Sequence, residues 1–381
     1  MSEPASLLYS EVEEELRSAV RGLLADKCPP SAVLARAEAA SGGDVPYDMD
    51  LWKTLARDIG VAGLLVPESL GGAGASAREA AVVMEELGRA VAPVPFLSSA
   101  VLATRALLGA GEEAGDLLER LASGETTAAL AVSFAASPYV PLYLSLRPAV
   151  TLGRDGTLTG RVTGVVGAEV ADVLVVPAVD ESAQEGGEPV LCVVEAAHAR
   201  VKGVGSLDLT RPIATVSFAG APARRAGTSA GVRDALLLAA GLLASEQLGV
   251  AEWCLTTTVS YVKERKQFAR PVGSFQAIKH RLADLWLELV GARAAARNAA
   301  ALLGAGADAG VAVAVAQAYC GTAAVHAAEE CVQLHGGIGM TWEHPAHLYL
   351  KRAKADEIAL GTPGDHREAL TWLADLPAPE S

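Results

Sequence analysis

Among the side chains of the C-terminal part able to move a proton, five stand near the segments that could do chemistry: Glu246, His335, Glu357, Asp365 and His366. A carboxylate or imidazole acts as a general base only within hydrogen-bond reach of the proton it removes. Spacing alone assigns that role to none of the five. Glu357 stands three residues before Leu360, on the same helix face if that helix persists. Glu246, Glu357, Asp365 and His366 read as solvated or capping residues. His335, beside Gly336-Gly337, reads as a satisfied structural histidine. The seven histidines have no metal-ligand spacing, since His344 and His347 lack a third ligand nearby. The five cysteines (Cys28, Cys192, Cys254, Cys320, Cys331) include no CxxC pair. They read as buried small hydrophobes, and their odd count suits a reducing cytoplasm. Taken alone, Arg265 is a solvated helix-end charge and Gly336-Gly337 a C-cap and turn.

These residues depend on the elements that carry them. Ser10 can cap a first helix with apolar positions Val12, Leu16, Ala19, Val20, Leu23 and Leu24. Cys28-Pro29-Pro30 ends it. Helices are predicted over 49–59 and 77–91, separated by the turn-rich VPESLGGAGAS, with further helix to about 121. From about Thr126 the pattern turns β-rich. Asp155-Gly156 marks a hairpin, Val173–Val176, Val190–Val194 and Thr215–Phe218 read as strands, and Asp180–Pro189 reads as a polar exposed loop. Together these predict a small antiparallel barrel or sandwich. From about Thr228, which with Ser229 offers a helix cap, the helical period returns over 230–264, 274–303, 308–335 and 345–374. Helices of that length form a bundle, often an oligomer core.

Composition narrows the classes. The 381 residues suit two to three domains with a large core. The balance of 31 basic and 45 acidic residues gives a net charge of −14, and neither a basic stripe for nucleic acid nor a polybasic membrane patch is visible. The longest apolar run, Ala235–Ala244, is short of the roughly 18–20 residues of a membrane span. The acidic N-terminus has no secretory pattern.

Two stretches then acquire a meaning that their parts lack. YVKERKQFARPVGSFQAIKHRLADL (261–285) and CVQLHGGIGMTWEHPAHLYLKRAKADEIALGTPGD (331–365) resemble signature segments of the acyl-CoA dehydrogenases, flavoproteins with the same α–β–α order. VPESLGGAGAS and MEELGR resemble that family's N-terminal domain, and LTGRVTGVVGAEVADVLVV (158–176) its β-domain strand pair. The resemblance implies an α+β fold with an N-terminal helical domain (1–122), a middle antiparallel β-barrel or sandwich domain (123–226) and a C-terminal four-helix bundle domain (227–381). It implies FAD bound between subunits of a tetramer. Arg265, Gln267 and Phe268 would hold the FAD of a neighbouring subunit, and an arginine fork suits a pyrophosphate. Gln333, Gly336 and Gly337 would approach its adenosine and pyrophosphate part, with Thr362 near the phosphates.

The family's reaction removes the α-proton of an acyl-CoA thioester with a carboxylate while hydride leaves for the flavin. At the usual place of that carboxylate, before Gly361-Thr362, stands Leu360; at the alternative place, on the long helix, stands Ala239. Gly164 replaces an aromatic residue against the flavin, AVSFA (131–135) replaces a Thr-Glu-Pro strand end, Lys351-Arg352 replaces an Arg-Asp pair, and Gly364 replaces a glutamine. The resemblance therefore implies a base-lacking subunit paired in an α₂β₂ tetramer with a glutamate-bearing partner, as in actinobacterial enzymes acting on steroid side-chain CoA thioesters. An electron-transfer flavoprotein or similar acceptor and a cytoplasmic location go with it. Two other readings stand beside this one: a self-sufficient homo-oligomer using an unconventional base, and a flavin-free subunit that is structural or holds acyl-CoA without reacting.

Overall fold

The computed structural model describes residues 7–41, 45–140, 150–182 and 189–375. Helix α1 (Glu11–Lys27) opens with a capping box, Ser10 accepting from the Glu13 amide while the Glu13 carboxylate accepts from the Ser10 amide. Of its expected stripe Val20 and Leu24 are buried, but Val12 and Ala19 are exposed. Glu13 is buried instead, held by Arg78 at 2.6 Å. A tertiary ion pair has thus displaced part of the apolar face. α1 ends at Lys27, before Cys28-Pro29-Pro30, as expected; Pro30 also opens α2 (Pro30–Ser41), which the sequence reading missed, because proline is at home in a first helical turn.

α3 (Met49–Lys53) continues through a π-turn to Asp58, followed by α4 (Ala77–Arg89). A buried π-helical stretch, Phe96–Ala103, then runs into α5 (Thr104–Leu108), and α6 (Gly115–Ala122) completes the first helical layer.

The middle region is one eight-stranded sheet: β1 (Ala128–Leu130), β2 (Thr151–Leu152), β3 (Thr157–Val166), β4 (Val173–Asp180), β5 (Val190–Glu195), β6 (Arg200–Gly203), β7 (Ile213–Pro222) and β8 (Arg224–Thr228). The Asp155-Gly156 turn joins β2 and β3 as expected, with Gly156 at φ 78°. The sheet is mixed, however, and not purely antiparallel, since β1 and β2 both pair parallel to β4. The reason lies in β4 itself. Its apolar run faces two cores: Val173 and Val175 join the helical core, while Leu174, Val176 and Ala178 join the sheet's own. A strand covered on both faces reads as a continuous apolar run, the mark of parallel pairing. Residues 183–188 of the expected polar loop lie outside the described residues.

The bundle consists of α7 (Ala230–Glu264), α8 (Gln276–Gly304), α9 (Gly310–His335), α10 (Ala346–Ile358) and α11 (Pro363–Leu373). Ser229 precedes α7 as expected but makes no side-chain cap. The expected segment 345–374 is two helices. Leu360 at φ 56° and Gly361 at φ 104° break it, and Thr362 starts α11 with a capping box. All five cysteines are buried and free. Contrary to the run-length reading, Ala230–Glu264 and Gly310–Met340 are long and apolar enough to span a membrane, but their apolar windows are 89% and 67% buried within the chain. Both serve as core helices here.

Candidate functional site

Two regions collect the residues singled out above. The first is an outward strip at one end of the bundle. β9 (Lys266–Gln267) and β10 (Arg270–Pro271) form a two-stranded hairpin just after α7. Its turn residues, Phe268 and Ala269, both have positive φ (50° and 60°), as a type I′ turn demands but non-glycine residues resist. Phe268 stands at the tip, 86% exposed, with only an edge contact to Phe275. The backbone of Arg265 ends α7 and its guanidinium is exposed, with no ion-pair partner among the described residues. The Tyr261 ring stacks on His335 at 4.4 Å, fastening the hairpin to the end of α9, where Gln333, Gly336 and Gly337 are exposed. Gly336 caps α9 at φ 63°, and a Cβ on either glycine would meet nothing within 4 Å. The strip therefore offers a free guanidinium, an amide, an aromatic face and bare backbone, a donor set that fits a phosphate-bearing aromatic ligand. His335 is buried, with Nδ1 2.7 Å from the Cys331 carbonyl. No group of three or more metal-ligating side chains occurs among the described residues.

The second region is a cleft between the sheet and the bundle. Its walls include Ser133, Phe134, Gly164, Leu207, Arg211 and Ile358, and it encloses ≈ 180 Å³. Pockets that bury a cofactor-sized ligand run to roughly 300–1,000 Å³. The cleft is small because its sides are laced together. The Phe134 amide donates to the Gly164 carbonyl at 2.8 Å, and the Leu360 amide donates to the Phe134 carbonyl at 2.7 Å. Leu360 and Ala239 are both 0% exposed. Among the described residues, neither lines this cleft.

Thr362 belongs with this second region. Its hydroxyl is consumed in capping α11, donating to Asp365 at 2.8 Å. Backbone and hydroxyl hydrogen bonds from Thr362 in turn hold the Asp365 carboxyl below its usual range. Next to it the Tyr139 hydroxyl lies 3.2 Å from Nδ1 of the buried His366, and the Tyr139 ring meets His366 and Trp372 edge-on. Asp365 and Glu368 border the wider groove outside, where they would repel a pyrophosphate. Glu357 is no candidate base, since α10 ends at Ile358 and Glu357 pairs with Lys354.

His366 sets one pH effect. Burial pushes its pKa down from 6.5 to about 4. The unfolded chain therefore binds the extra proton first, and folding loses stability as pH falls from about 6.5 towards about 4. Melting temperatures across that window are expected to fall less steeply for His366→Gln than for the parent.

The sequence reading missed a third feature. Glu246 is neither solvated nor capping; it is fully buried. It accepts from Arg211 at 2.5 Å and from Arg352. Arg352 also donates to Asp208 and Thr210, and Arg211 to Asp356 at 3.0 Å. This ionic lattice ties the 205–211 loop of the sheet region to α7 and α10. The signal in the sequence was Arg352 in place of an acid; its partners Asp208 and Glu246 lie 144 and 106 residues away.

The order of helices, sheet and bundle recurs in known proteins. Residues 10–125 match the acyl-CoA dehydrogenase N-terminal domain and residues 231–371 the acyl-CoA dehydrogenase C-terminal domain. Acyl-CoA dehydrogenase IpdE2 of Mycolicibacterium smegmatis is 36% identical over 364 residues, covering 96% of this chain and 98% of that protein. The chain belongs to the acyl-CoA dehydrogenase family. Two solved structures are similar along nearly the whole chain. The ChsE4-ChsE5 complex from Mycobacterium tuberculosis shares 30% identity at a TM-score of 0.84, covering 98% of this chain and 100% of that one. A variant of the steroid acyl-CoA dehydrogenase Tcur3481-Tcur3483 shares 29% at 0.81, covering 96% and 98%. Acyl-CoA dehydrogenases are FAD-dependent oxidoreductases.

Proposed function

We propose that this chain is the base-lacking subunit of a paired, FAD-dependent acyl-CoA dehydrogenase. Its partner is a homologous, glutamate-bearing chain, in an α₂β₂ assembly. The reading rests on one contrast. Both base positions hold apolar, fully buried residues, while the outward hairpin presents a strained, exposed Phe268 beside Arg265, which has no ion-pair partner among the described residues. An exposed aromatic on a strained turn is costly unless another molecule covers it. FAD fits the outward strip and not the inward cleft.

When bound, FAD accepts the β-hydride. Arg265 would grip its pyrophosphate with two parallel hydrogen bonds, and Gln267 would add an amide contact. Phe268 would cover the cofactor from solvent, and Gln333, Gly336 and Gly337 would let backbone approach its adenosine end. The α-proton leaves to the partner's glutamate, because this chain carries Leu360 and Ala239 at the two base positions.

An apolar face supports the assembly. Trp286 and Leu287 on α8 are 56% and 61% exposed, and Tyr319 on α9 lies against Gly291 beside them. Such a face on a bundle belongs to a subunit interface. Steroid side-chain CoA thioesters are the proposed substrate class, supported by the similarity to a steroid acyl-CoA dehydrogenase and to a two-component complex. An electron-transfer flavoprotein or similar acceptor and a cytoplasmic location complete the proposal.

The test is co-purification from the source with a measured flavin-to-protein ratio. A second, glutamate-bearing chain and flavin that arrive together support the reading; a lone, fully flavin-loaded and active homo-oligomer overturns it. In the complex, Arg265→Ala is expected to weaken FAD retention by roughly ten-fold or more, as for the loss of a charge-assisted hydrogen bond. Flavin released on gel filtration reads this directly.

A further inference from the structure

The ionic lattice carries a charge imbalance. Two guanidiniums, Arg211 and Arg352, face three carboxylates, Asp208, Glu246 and Asp356, all buried. Five full charges would leave one negative charge in the protein interior, and the geometry locates it. Asp208 accepts from the Thr210 amide and hydroxyl and from Arg352. Glu246 accepts from both guanidiniums. Asp356 accepts on one oxygen only, from Arg211, and its buried Oδ2 has no partner.

We propose that Asp356 holds a proton in the folded protein at neutral pH, and that this proton is what lets the lattice lock the 205–211 loop onto α7 and α10. Asp356 has the fewest donors of the three carboxylates, so the cluster's excess negative charge is relieved most cheaply by protonating it. The groups around Asp356 agree. Burial and the neighbouring Glu246 push its carboxyl well above the usual range, against the pull of Arg211 and Arg352. Asp208 is driven up by burial, but Arg352, the Thr210 hydrogen bonds and Arg211 together outweigh that and leave it below the usual range. Tyr47, from the first helical layer, faces the same guanidiniums as a neutral phenol, since burial pushes its pKa up. Lys351, next to Arg352, is partly exposed; burial lowers its pKa and the attraction of Asp208 opposes that. From α7, the Gln247 side chain donates to the backbone carbonyl of Asp356 and not to its carboxyl.

The sign follows. The folded chain keeps a proton that the unfolded chain releases above about pH 4, so this group costs stability as pH rises towards its folded pKa. Melting temperature is measured between about pH 6 and about pH 8, with the full-length chain in whatever complex it purifies. The parent is expected to lose roughly a few degrees more across that interval than Asp356→Asn, whose amide cannot ionise. Infrared spectra of protein with isotopically labelled aspartate are the second readout, since the label separates Asp356 from Glu85 and Glu169, whose carboxyls burial also raises. A labelled protonated-carboxyl band at neutral pH that fades in alkali supports the proposal, even if Asp356→Asn does not fold. Absence of that band, or equal pH slopes in a folded variant, overturns it. Neither readout uses dehydrogenase activity, so failure here leaves the paired-enzyme reading standing.

Discussion

The chain expressed and purified alone is expected to convert acyl-CoA to enoyl-CoA at least about 10³-fold more slowly than its complex with the glutamate-bearing partner. A positioned general base contributes roughly 10²–10⁴-fold, and a cofactor left without its second half-site adds to the deficit. Dye-coupled reduction together with chromatographic detection of the enoyl product reads this. Equal turnover by the lone chain sinks the proposed function. Restoring a carboxylate by Leu360→Glu is expected to fail. Leu360 sits at positive φ, its amide is tied to Phe134, and its side chain is fully buried, so the new carboxylate would meet no water and no substrate. Loss of stability without gain of activity is the expected result of that substitution.

Glu246→Ala is expected to cost about 3–5 kcal/mol of stability, the typical penalty for breaking a buried ion pair from one side. The charge lost is the one that both Arg211 and Arg352 contact. Without it two buried guanidiniums share Asp208 and Asp356, and the 205–211 loop loses its tie to α7. Denaturant unfolding should show a large fall in midpoint. Glu246→Gln, which keeps the shape, should recover part of it. A near-neutral Glu246→Ala would mean that the lattice is wet or open in solution.

Local signals in the chain carried much of the fold. Ser10 capped the first helix where expected, Glu13 three residues later completing the box, and Asp155-Gly156 made its turn. Both work through neighbours in sequence, so a short window contains the physics. The long bundle helices were legible for the same reason, since their apolar period repeats within one segment. Pairing was not legible. Parallel addition of β1 and β2 to β4 depends on which cores cover the two faces of β4, a matter of segments far apart. The break at Leu360-Gly361 was also hidden, because the apolar period continues across it while the backbone does not.

The candidate site divides along the same line. Which residue types stand at 239, 265, 268, 336, 337 and 360 is written in the chain, and an alanine and a leucine cannot take a proton in any fold. Sequence therefore determined by itself that a leucine and an alanine stand where the family resemblance puts the base, and that an arginine, an aromatic and two glycines lie in the same C-terminal third of the chain. Only tertiary structure decided that Phe268 points into solvent on a strained turn, that Phe134 and Leu360 close the inward cleft, and that Glu246 lies at the centre of a buried charge lattice. Accessibility and charge pairing depend on distance in space, and the groups that set them here are joined by more than a hundred residues of chain.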